Sequence, residues 1–119
     1  MLARLTPTVY QRLDRSGAEL EADLTRLAFE ERVAPFVVQR VGSMVGAFFA
    51  AGPVVDDRSA EATDRTRYRR FFHGALDGGV YLPPSALETI FVSTAIGSRE
   101  LTRAEPALRA GFRAARRGR

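Results

Sequence analysis

The sequence predicts an α+β fold, a small and mainly antiparallel sheet with helices packed against one face. A long amphipathic helical pattern opens the chain, short β-rich runs separated by two-residue bends follow it, and a glycine-terminated helical pattern interrupts those runs. Two-residue bends join antiparallel strands, whereas parallel strands need long crossovers. We expect a single domain over residues 1–119, with no internal repeat.

The first helix is predicted at residues 7–30. Thr6 can cap its exposed amides, Pro7 suits the first helical position, and Leu5 can close on Tyr10 as a hydrophobic staple. The predicted buried face follows alternating steps of three and four residues. Its members are Tyr10, Leu13, Gly17, Leu20, Leu24 and Leu27.

Two short strands should follow, in the segments "FVVQRVGSM" and "VGAFFAA". Both are rich in β-branched and aromatic residues, and Gly42-Ser43 supplies the bend between them. Gly46 lies inside the second apolar run. A glycine there most often relieves crowding, and less often admits another backbone.

A second helix is predicted from about Ala60 to Leu76, and Gly78-Gly79 should end it because glycine adopts the left-handed conformation without a Cβ penalty. Asp56-Asp57 belong to the polar loop before its cap. The residues expected on its buried stripe are Tyr68, Phe71, Phe72, Ala75 and Leu76.

The segments "VYL" and "IFVSTA" read as further strands, joined by the loop "PPSALE". Pro83-Pro84 fixes two φ angles, which leaves this loop few conformations. Ser98 is the predicted cap of a last helix. Its core residues should be Leu101, Leu108 and Phe112. Pro106 predicts a kink or a new helix start, because proline inside a helix costs about 3 kcal/mol.

Composition excludes several kinds of chemistry. The chain has no cysteine, so disulfides and thiolate sites are excluded, and its 18 basic residues are all arginine. A lysine amine forms the Schiff base with pyridoxal phosphate, and a guanidinium cannot replace it. No apolar run is long enough to span a membrane, and no secretory leader pattern opens the chain. We therefore expect a cytoplasmic protein.

The net charge of +4 raises the question of a nucleic-acid partner. Most arginines are interleaved with acids, and the one acid-free cluster lies at the C-terminus, at Arg113, Arg116, Arg117 and Arg119. Because phosphate recognition needs a clustered basic face, nucleic-acid binding is not the prediction.

Few residues suggest catalysis. His73 is the only histidine, so a histidine metal pair is impossible, and we interpret it as a structural or surface residue. Ser43, Ser85 and Ser93 lack a nucleophile elbow, and no phosphate-binding loop motif occurs. No metal site is predicted.

Glu88 is the best candidate for a functional acid. It follows a double proline and precedes an apolar strand, so stiff backbone on both sides would hold its carboxylate. The alternative is a solvated loop acid or a helix-cap partner, and local sequence does not separate the two.

Four segments together resemble the C-terminal small domain of the glutamate-1-semialdehyde 2,1-aminomutase family, a class III aminotransferase type. They are "LTPTVYQRLDRSGAELEADL", "VQRVGSMVGAFF", "RYRRFFHGALDGGVYLPPSALE" and "FVSTA". The resemblance runs from Leu5 to about Ala95, and the stretch from Phe71 to Glu88 is its most specific part.

The resemblance implies a homodimeric fold-type I enzyme of tetrapyrrole (porphyrin) biosynthesis, which uses pyridoxal phosphate to isomerise glutamate 1-semialdehyde to 5-aminolevulinate. It places Glu88 toward the bound substrate, and Ser43 and Met44 near the site entrance. The chain departs from the family at Ile96-Gly97, where a histidine and a hydroxyl residue are usual, and at Pro106.

Two hypotheses follow. In the first, the chain is the small-domain part of an aminomutase, inactive alone, with an apolar face covered by a large pyridoxal-phosphate-binding domain, by another chain, or by self-association. In the second, it is a stand-alone binding module on the same scaffold, with arginines directed at an anionic partner.

Overall fold

A computed structural model describes residues 7–93 and 95–117, and it confirms the α+β architecture. The elements in chain order are α1 (Pro7–Glu30), β1 (Val37–Val41), β2 (Met44–Phe48), α2 (Asp57–Glu61), α3 (Arg65–Asp77), β3 (Ile90–Phe91) and α4 (Ser98–Arg117).

The three strands form one antiparallel sheet in the order β1-β2-β3. Val41 pairs with Met44 across the β1–β2 turn, and Met44 pairs in turn with Phe91 of β3. Gly42 occupies the turn with a φ of +59°, a left-handed conformation that favours glycine. The predicted bend at Gly42-Ser43 is therefore confirmed as a hairpin turn.

Aromatic rings fill the space between the inner face of the sheet and the helices. Val45 and Phe49 are buried there, with Phe71 and Phe112 arriving from α3 and α4. The Phe71 and Phe112 ring centroids lie 4.6 Å apart, and those of Phe49 and Phe71 lie 5.7 Å apart. Each such pair contributes about 1 kcal/mol beyond the burial of its apolar area, so this cluster stabilises the packing of the helices on the sheet.

Helices α3 and α4 pack closely because glycines lie at their contact. A Cβ added to Gly111 would lie 2.7 Å from the Phe71 carbonyl oxygen, and one added to Gly74 would lie 2.8 Å from the Gly111 Cα. Backbone at such distances cannot make room for a methyl group. The two helices therefore form a rigid layer behind the aromatic cluster.

The predicted first helix is confirmed at Pro7–Glu30, and Leu20, Leu24 and Leu27 are buried as expected. Tyr10 is 57% exposed, so the buried face begins later than the periodicity suggested. The predicted Thr6 cap and the Leu5 staple lie outside the described residues.

The predicted second helix is two helices. Asp56 caps α2 and Asp64 caps α3, where its side chain accepts from the Arg67 amide at 2.9 Å. Hydrogen bonds to Ser59 hold the pKa of Asp56 below its usual value. Leu76 of the predicted stripe is 40% exposed, because it lies on the side of α3 away from the core.

The segment "VYL" is not a strand. The Val80 amide donates to the Ala75 carbonyl at 2.9 Å, completing the end of α3 after Gly79, whose φ is +101°. That amide is therefore unavailable to a sheet. β3 is also shorter than "IFVSTA" suggested, because Ser93 begins a turn in which its carbonyl accepts from the Ile96 amide at 3.0 Å.

The last helix differs from the prediction at two positions. α4 is one helix across Pro106, so no new helix starts there, since Leu101, Leu108 and Phe112 on both sides of it are held in the core. Ser98 is the first helical residue rather than the cap. Glu100 instead reaches back to the Gly97 amide at 2.9 Å, as the acid of a capping box does.

Two arginines of the C-terminal cluster, Arg113 and Arg116, lie beside an acid in the fold. Glu31 is only 6% exposed, and Arg109, Arg113 and Arg116 of α4 all reach it. The closest distances are 2.7 Å to Arg109 and 2.9 Å to Arg113. Hydrogen bonds from Arg113 and Arg109 hold the pKa of the Glu31 carboxyl below its usual value. These ion pairs fasten the end of α1 to α4.

Replacing Glu31 by glutamine should destabilise the protein by about 2 kcal/mol at neutral pH, between the values for exposed and buried ion pairs because the arginines are partly solvated. The lowered folded-state pKa means that the charged Glu31 stabilises the fold above its unfolded pKa and loses this effect as pH falls through the folded value. Urea unfolding of both proteins from pH 7 to pH 3 should show the difference shrinking. Glu61→Gln, at an exposed acid, is the control, and an equal effect of both substitutions would contradict the prediction.

Candidate functional site

The outer face of the sheet carries exposed apolar side chains. Val41, Met44 and Phe91 are directly paired across the three strands, so their side chains share this face. Val41 is 72% and Phe91 71% exposed. A shallow concavity of about 190 Å³ lies here, bordered by Met44, Phe48 and Thr89 among others. No described helix covers this face, in contrast to the inner one.

Helix α1 holds the β1–β2 turn from behind. A Cβ on Gly17 would lie 2.2 Å from the Gly42 carbonyl oxygen and 3.1 Å from the Ser43 Cα. Only a residue without a side chain permits this approach, which explains a glycine on the buried face of a long helix. The turn that carries Ser43 and Met44 is therefore seated directly on the α1 backbone.

Arg40 locks the same contact. Its Nε donates to Glu21 at 2.9 Å, and its Nη1 donates to Asp14 and to the Gly42 carbonyl, each at 2.9 Å. Hydrogen bonds to Glu21 and Asp14 raise the pKa of the guanidinium. One side chain thus joins two turns of α1 to the hairpin.

Strand β3 is attached to the same turn. The Val92 amide donates to the Ser43 carbonyl at 3.0 Å, just beyond the Met44–Phe91 pair. Ser43 and Met44 therefore lie beside β3, the strand that follows Glu88 along the chain. Glu88 itself does not line the concavity.

Glu88 lies at the end of a closed turn. Its amide donates to the Ser85 carbonyl at 3.1 Å, and its Oε1 accepts from the Ser85 amide at 3.2 Å. The Leu87 amide donates to the Ser85 hydroxyl at 3.3 Å. Glu88 is exposed, and among the described residues only one oxygen of its carboxylate is engaged. In this conformation the acid closes its own turn, and no helix begins there for it to cap.

The other candidate residues from the sequence take part in side-chain packing or in local hydrogen bonds. His73 is exposed, with its ring against Phe72 at 5.1 Å. The Ser93 hydroxyl accepts from the Ala95 amide. The departures from the family pattern also have local roles: the Ile96 carbonyl accepts from the Ser16 hydroxyl at 2.9 Å, and the amide of Gly97, the residue before α4, donates to Glu100. Within residues 7–93 and 95–117, no group of histidines and acids could hold a metal ion.

No helix of the described chain is long and apolar enough to cross a membrane.

Sequence reasoning assigned no role to Gly17 in holding the turn, or to Arg40. The signal for Gly17 was present, since a glycine inside a strong helical pattern often marks close packing. No local pattern reveals that Arg40 reaches Asp14 and Glu21, because these residues meet only through the tertiary fold.

Comparison with known proteins shows the relationship of the chain. It is 44% identical over 103 residues to the glutamate-1-semialdehyde 2,1-aminomutase of Thermus thermophilus, covering 87% of this chain and 24% of that enzyme. The enzyme of Myxococcus xanthus is 43% identical over 111 residues, covering 93% and 26%. Over the aligned region, this chain is related in sequence to the glutamate-1-semialdehyde 2,1-aminomutases. It spans about a quarter of the length of these relatives. No family model matches it.

Solved structures give the same fold for this part of the family. An aminomutase from Pseudomonas aeruginosa superposes with a TM-score of 0.78 at 21% identity, covering 93% of this chain and 24% of that one. An omega-transaminase from Sphaerobacter thermophilus also reaches 0.78, at 23% identity, covering 97% and 26%. A transaminase with pyridoxal phosphate bound reaches 0.75, at 19% identity, covering 98% and 26%.

The residues of this chain do not by themselves fit the family's cofactor. The sequence has no lysine to bind it covalently. Arg40, the cation bordering the concavity, is already paired with Glu21 and Asp14. A phosphate there would compete with two carboxylates. The covalent anchor of the cofactor in an intact enzyme must therefore lie outside this sequence.

Substituting Gly17 by alanine tests the seating of the turn. Glycine to alanine inside a helix ordinarily stabilises by up to about 1 kcal/mol. Here we expect a loss of about 1–3 kcal/mol, because the new methyl group would lie against the Gly42 carbonyl. Thermal unfolding of the purified chain measures this, with Gly52→Ala as the control, since a Cβ at Gly52 meets nothing within 4 Å. An increase in stability on Gly17→Ala would refute the close contact.

Proposed function

We propose that this chain supplies the small-domain part of a pyridoxal-phosphate-dependent glutamate-1-semialdehyde 2,1-aminomutase of tetrapyrrole synthesis in the cytoplasm. The identity of 44% to the Thermus thermophilus enzyme over 87% of the chain carries the proposal. On its own the chain is inactive, and a separate pyridoxal-phosphate-binding unit completes the enzyme, which works as a dimer.

The division of labour follows from the residue inventory. Bound to its own domain, the cofactor supplies the electron sink for exchanging amino groups between neighbouring carbons. With no lysine, this chain contributes neither the covalent anchor nor an amine base. What it offers is a preformed edge of the site, built from the Ser43-Met44 turn and the segment that carries Glu88.

Glu88 is the group that acts on the substrate in this proposal. Its carboxylate can accept hydrogen bonds from a substrate ammonium group, which orients the amine and favours its charged form. The free oxygen can do so without disturbing the turn, while Oε1 stays on the Ser85 amide. Ser43 and Met44 would border the entrance.

The apolar outer face is where the partner would bind. Val41, Met44 and Phe91 are each more than 40% exposed and adjacent in the sheet register, so together they present a continuous apolar surface. Small domains bury such a face against the rest of the subunit. Without the partner, the same face should cause self-association.

The first test is reconstitution. The chain is mixed with an aminomutase subunit of a relative that lacks the corresponding quarter, and 5-aminolevulinate formation is followed together with the cofactor absorbance. Restored turnover supports the proposal. Glu88→Gln should then reduce turnover about a hundredfold, the lower range for a positioned acid or base. Glu61→Gln is the matched control, and equal turnover of Glu88→Gln and wild type would remove Glu88 from the site.

The second test concerns the apolar face. Phe91→Glu should weaken binding of the cofactor-binding unit at least tenfold, because it buries a charge in the interface. Phe29→Glu is the control, since Phe29 is 83% exposed near the end of α1 and is not one of the paired strand residues. Sedimentation of each variant with the partner measures the affinity. A wild-type chain that stays monomeric alone and binds no hydrophobic dye would contradict an exposed interaction face.

A further inference from the structure

Tyr68 connects the aromatic core to the loop that carries Glu88. The side chain extends from α3, the residue is only 4% exposed, and the hydroxyl donates to the Pro83 carbonyl at 2.5 Å. A buried tyrosine hydroxyl needs a hydrogen-bond partner. Here the partner is the backbone of the one loop that carries the candidate acid.

The tyrosine ring cannot move freely. Its centroid lies 5.9 Å from that of Phe71 and 6.4 Å from that of Phe49, two of the most buried side chains of the core. The start of α3 is fixed as well, because the Asp64 amide donates to the Phe49 carbonyl at 2.9 Å. The position of the Tyr68 hydroxyl is therefore determined by packing in the core and not by contacts at the protein surface.

The loop from Pro83 to Glu88 extends this restraint to the Glu88 carboxylate. Pro83 and Pro84 each lock one φ angle, so anchoring the Pro83 carbonyl restricts the chain that follows. Three hydrogen bonds then close the turn from Ser85 to Glu88. Between the Tyr68 hydroxyl and the Glu88 carboxylate the chain contains little freedom.

We propose that Tyr68 is a positioning residue, whose hydrogen bond to the Pro83 carbonyl fixes the loop so that the Glu88 carboxylate is presented beside β3. That the presented acid serves the isomerisation rests on the proposed function. The positioning itself is a property of this chain alone and is measurable without a partner.

The pKa of Tyr68 supports the short distance between Tyr68 and Glu88 that this role requires. Burial, and in addition the negative charge of Glu88, raise the pKa of Tyr68 to about 12. The phenol therefore stays protonated at neutral pH and keeps donating to Pro83. The influence of the Glu88 charge on Tyr68 provides a direct measure of their proximity.

The first experiment uses Tyr68→Phe, which deletes one hydroxyl and keeps the ring. Amide hydrogen exchange of the purified chain at neutral pH should rise roughly three- to tenfold at Leu87 and Glu88, the equivalent of losing one hydrogen bond. Amides of β2 and α4 should change less. Tyr81→Phe is the control, because Tyr81 is 71% exposed. Unchanged exchange at Leu87 and Glu88 in Tyr68→Phe would overturn the proposal.

The second experiment distinguishes positioning from a merely structural role. Tyrosine ionisation is followed by ultraviolet absorbance within milliseconds of a jump to high pH, before unfolding. Wild type should show a late transition that Tyr68→Phe removes. Glu88→Gln should move the late transition to lower pH, because it removes the negative charge. If Glu88→Gln leaves the late transition at the same pH, then Tyr68 and Glu88 are not close together and the proposal is wrong.

In the reconstituted enzyme, Tyr68→Phe should lower kcat more than it changes KM, and should add little to Glu88→Gln, since both act through one carboxylate. Full additivity of the two effects would contradict the role. If the wild-type mixture shows no turnover, the proposed function fails, while exchange and titration still decide the role of Tyr68.

Discussion

Backbone contact between α1 and the β1–β2 turn is the constraint on which the rest of the structure depends. Gly17 allows the Gly42 carbonyl to lie where any side chain would be. The sheet begins at that turn, β3 pairs beside it, and the Glu88 loop leads into β3. Arg40 adds four hydrogen bonds at the same place. The candidate site is thus positioned by a helix on the opposite side of the sheet.

The two faces of the sheet differ in a way that bears on function. The inner face is filled by aromatic rings and closed by α3 and α4, while Glu31 and its arginines fasten α1 to α4. All the partners in these interactions lie within the described residues. The outer face presents apolar side chains to solvent at the edge formed by Ser43 and Met44. Such a contrast is expected of a component whose inner core is finished and whose outer face meets a partner.

Structural elements determined by short-range interactions were predicted correctly from the sequence. The first helix, the Gly42-Ser43 turn and the glycine stop of α3 each depend on neighbouring residues, and the structure confirms them. The errors arose where tertiary contacts override local preference: packing on both sides carries α4 through Pro106, and Asp64 divides the second helix by bonding to Phe49.

The candidate site shows the same division. The stiffness around Glu88 could be inferred from two prolines, while the placement of Ser43 and Met44 near a site entrance stays a prediction from the family resemblance. The hydroxyl of Tyr68, the carboxylates that hold Arg40 and the backbone beneath Gly17 come from distant parts of the chain. Their partners are set by the fold, so no spacing along the sequence reveals them.

The most direct measurement is an experimental structure of this chain bound to a pyridoxal-phosphate-binding partner with a substrate analogue. The account predicts that Val41, Met44 and Phe91 are buried in the interface and that an oxygen of Glu88 lies about 3 Å from the amine of the analogue. A complex in which the outer face of the sheet remains in solvent, with Glu88 pointing away from the ligand, would contradict it.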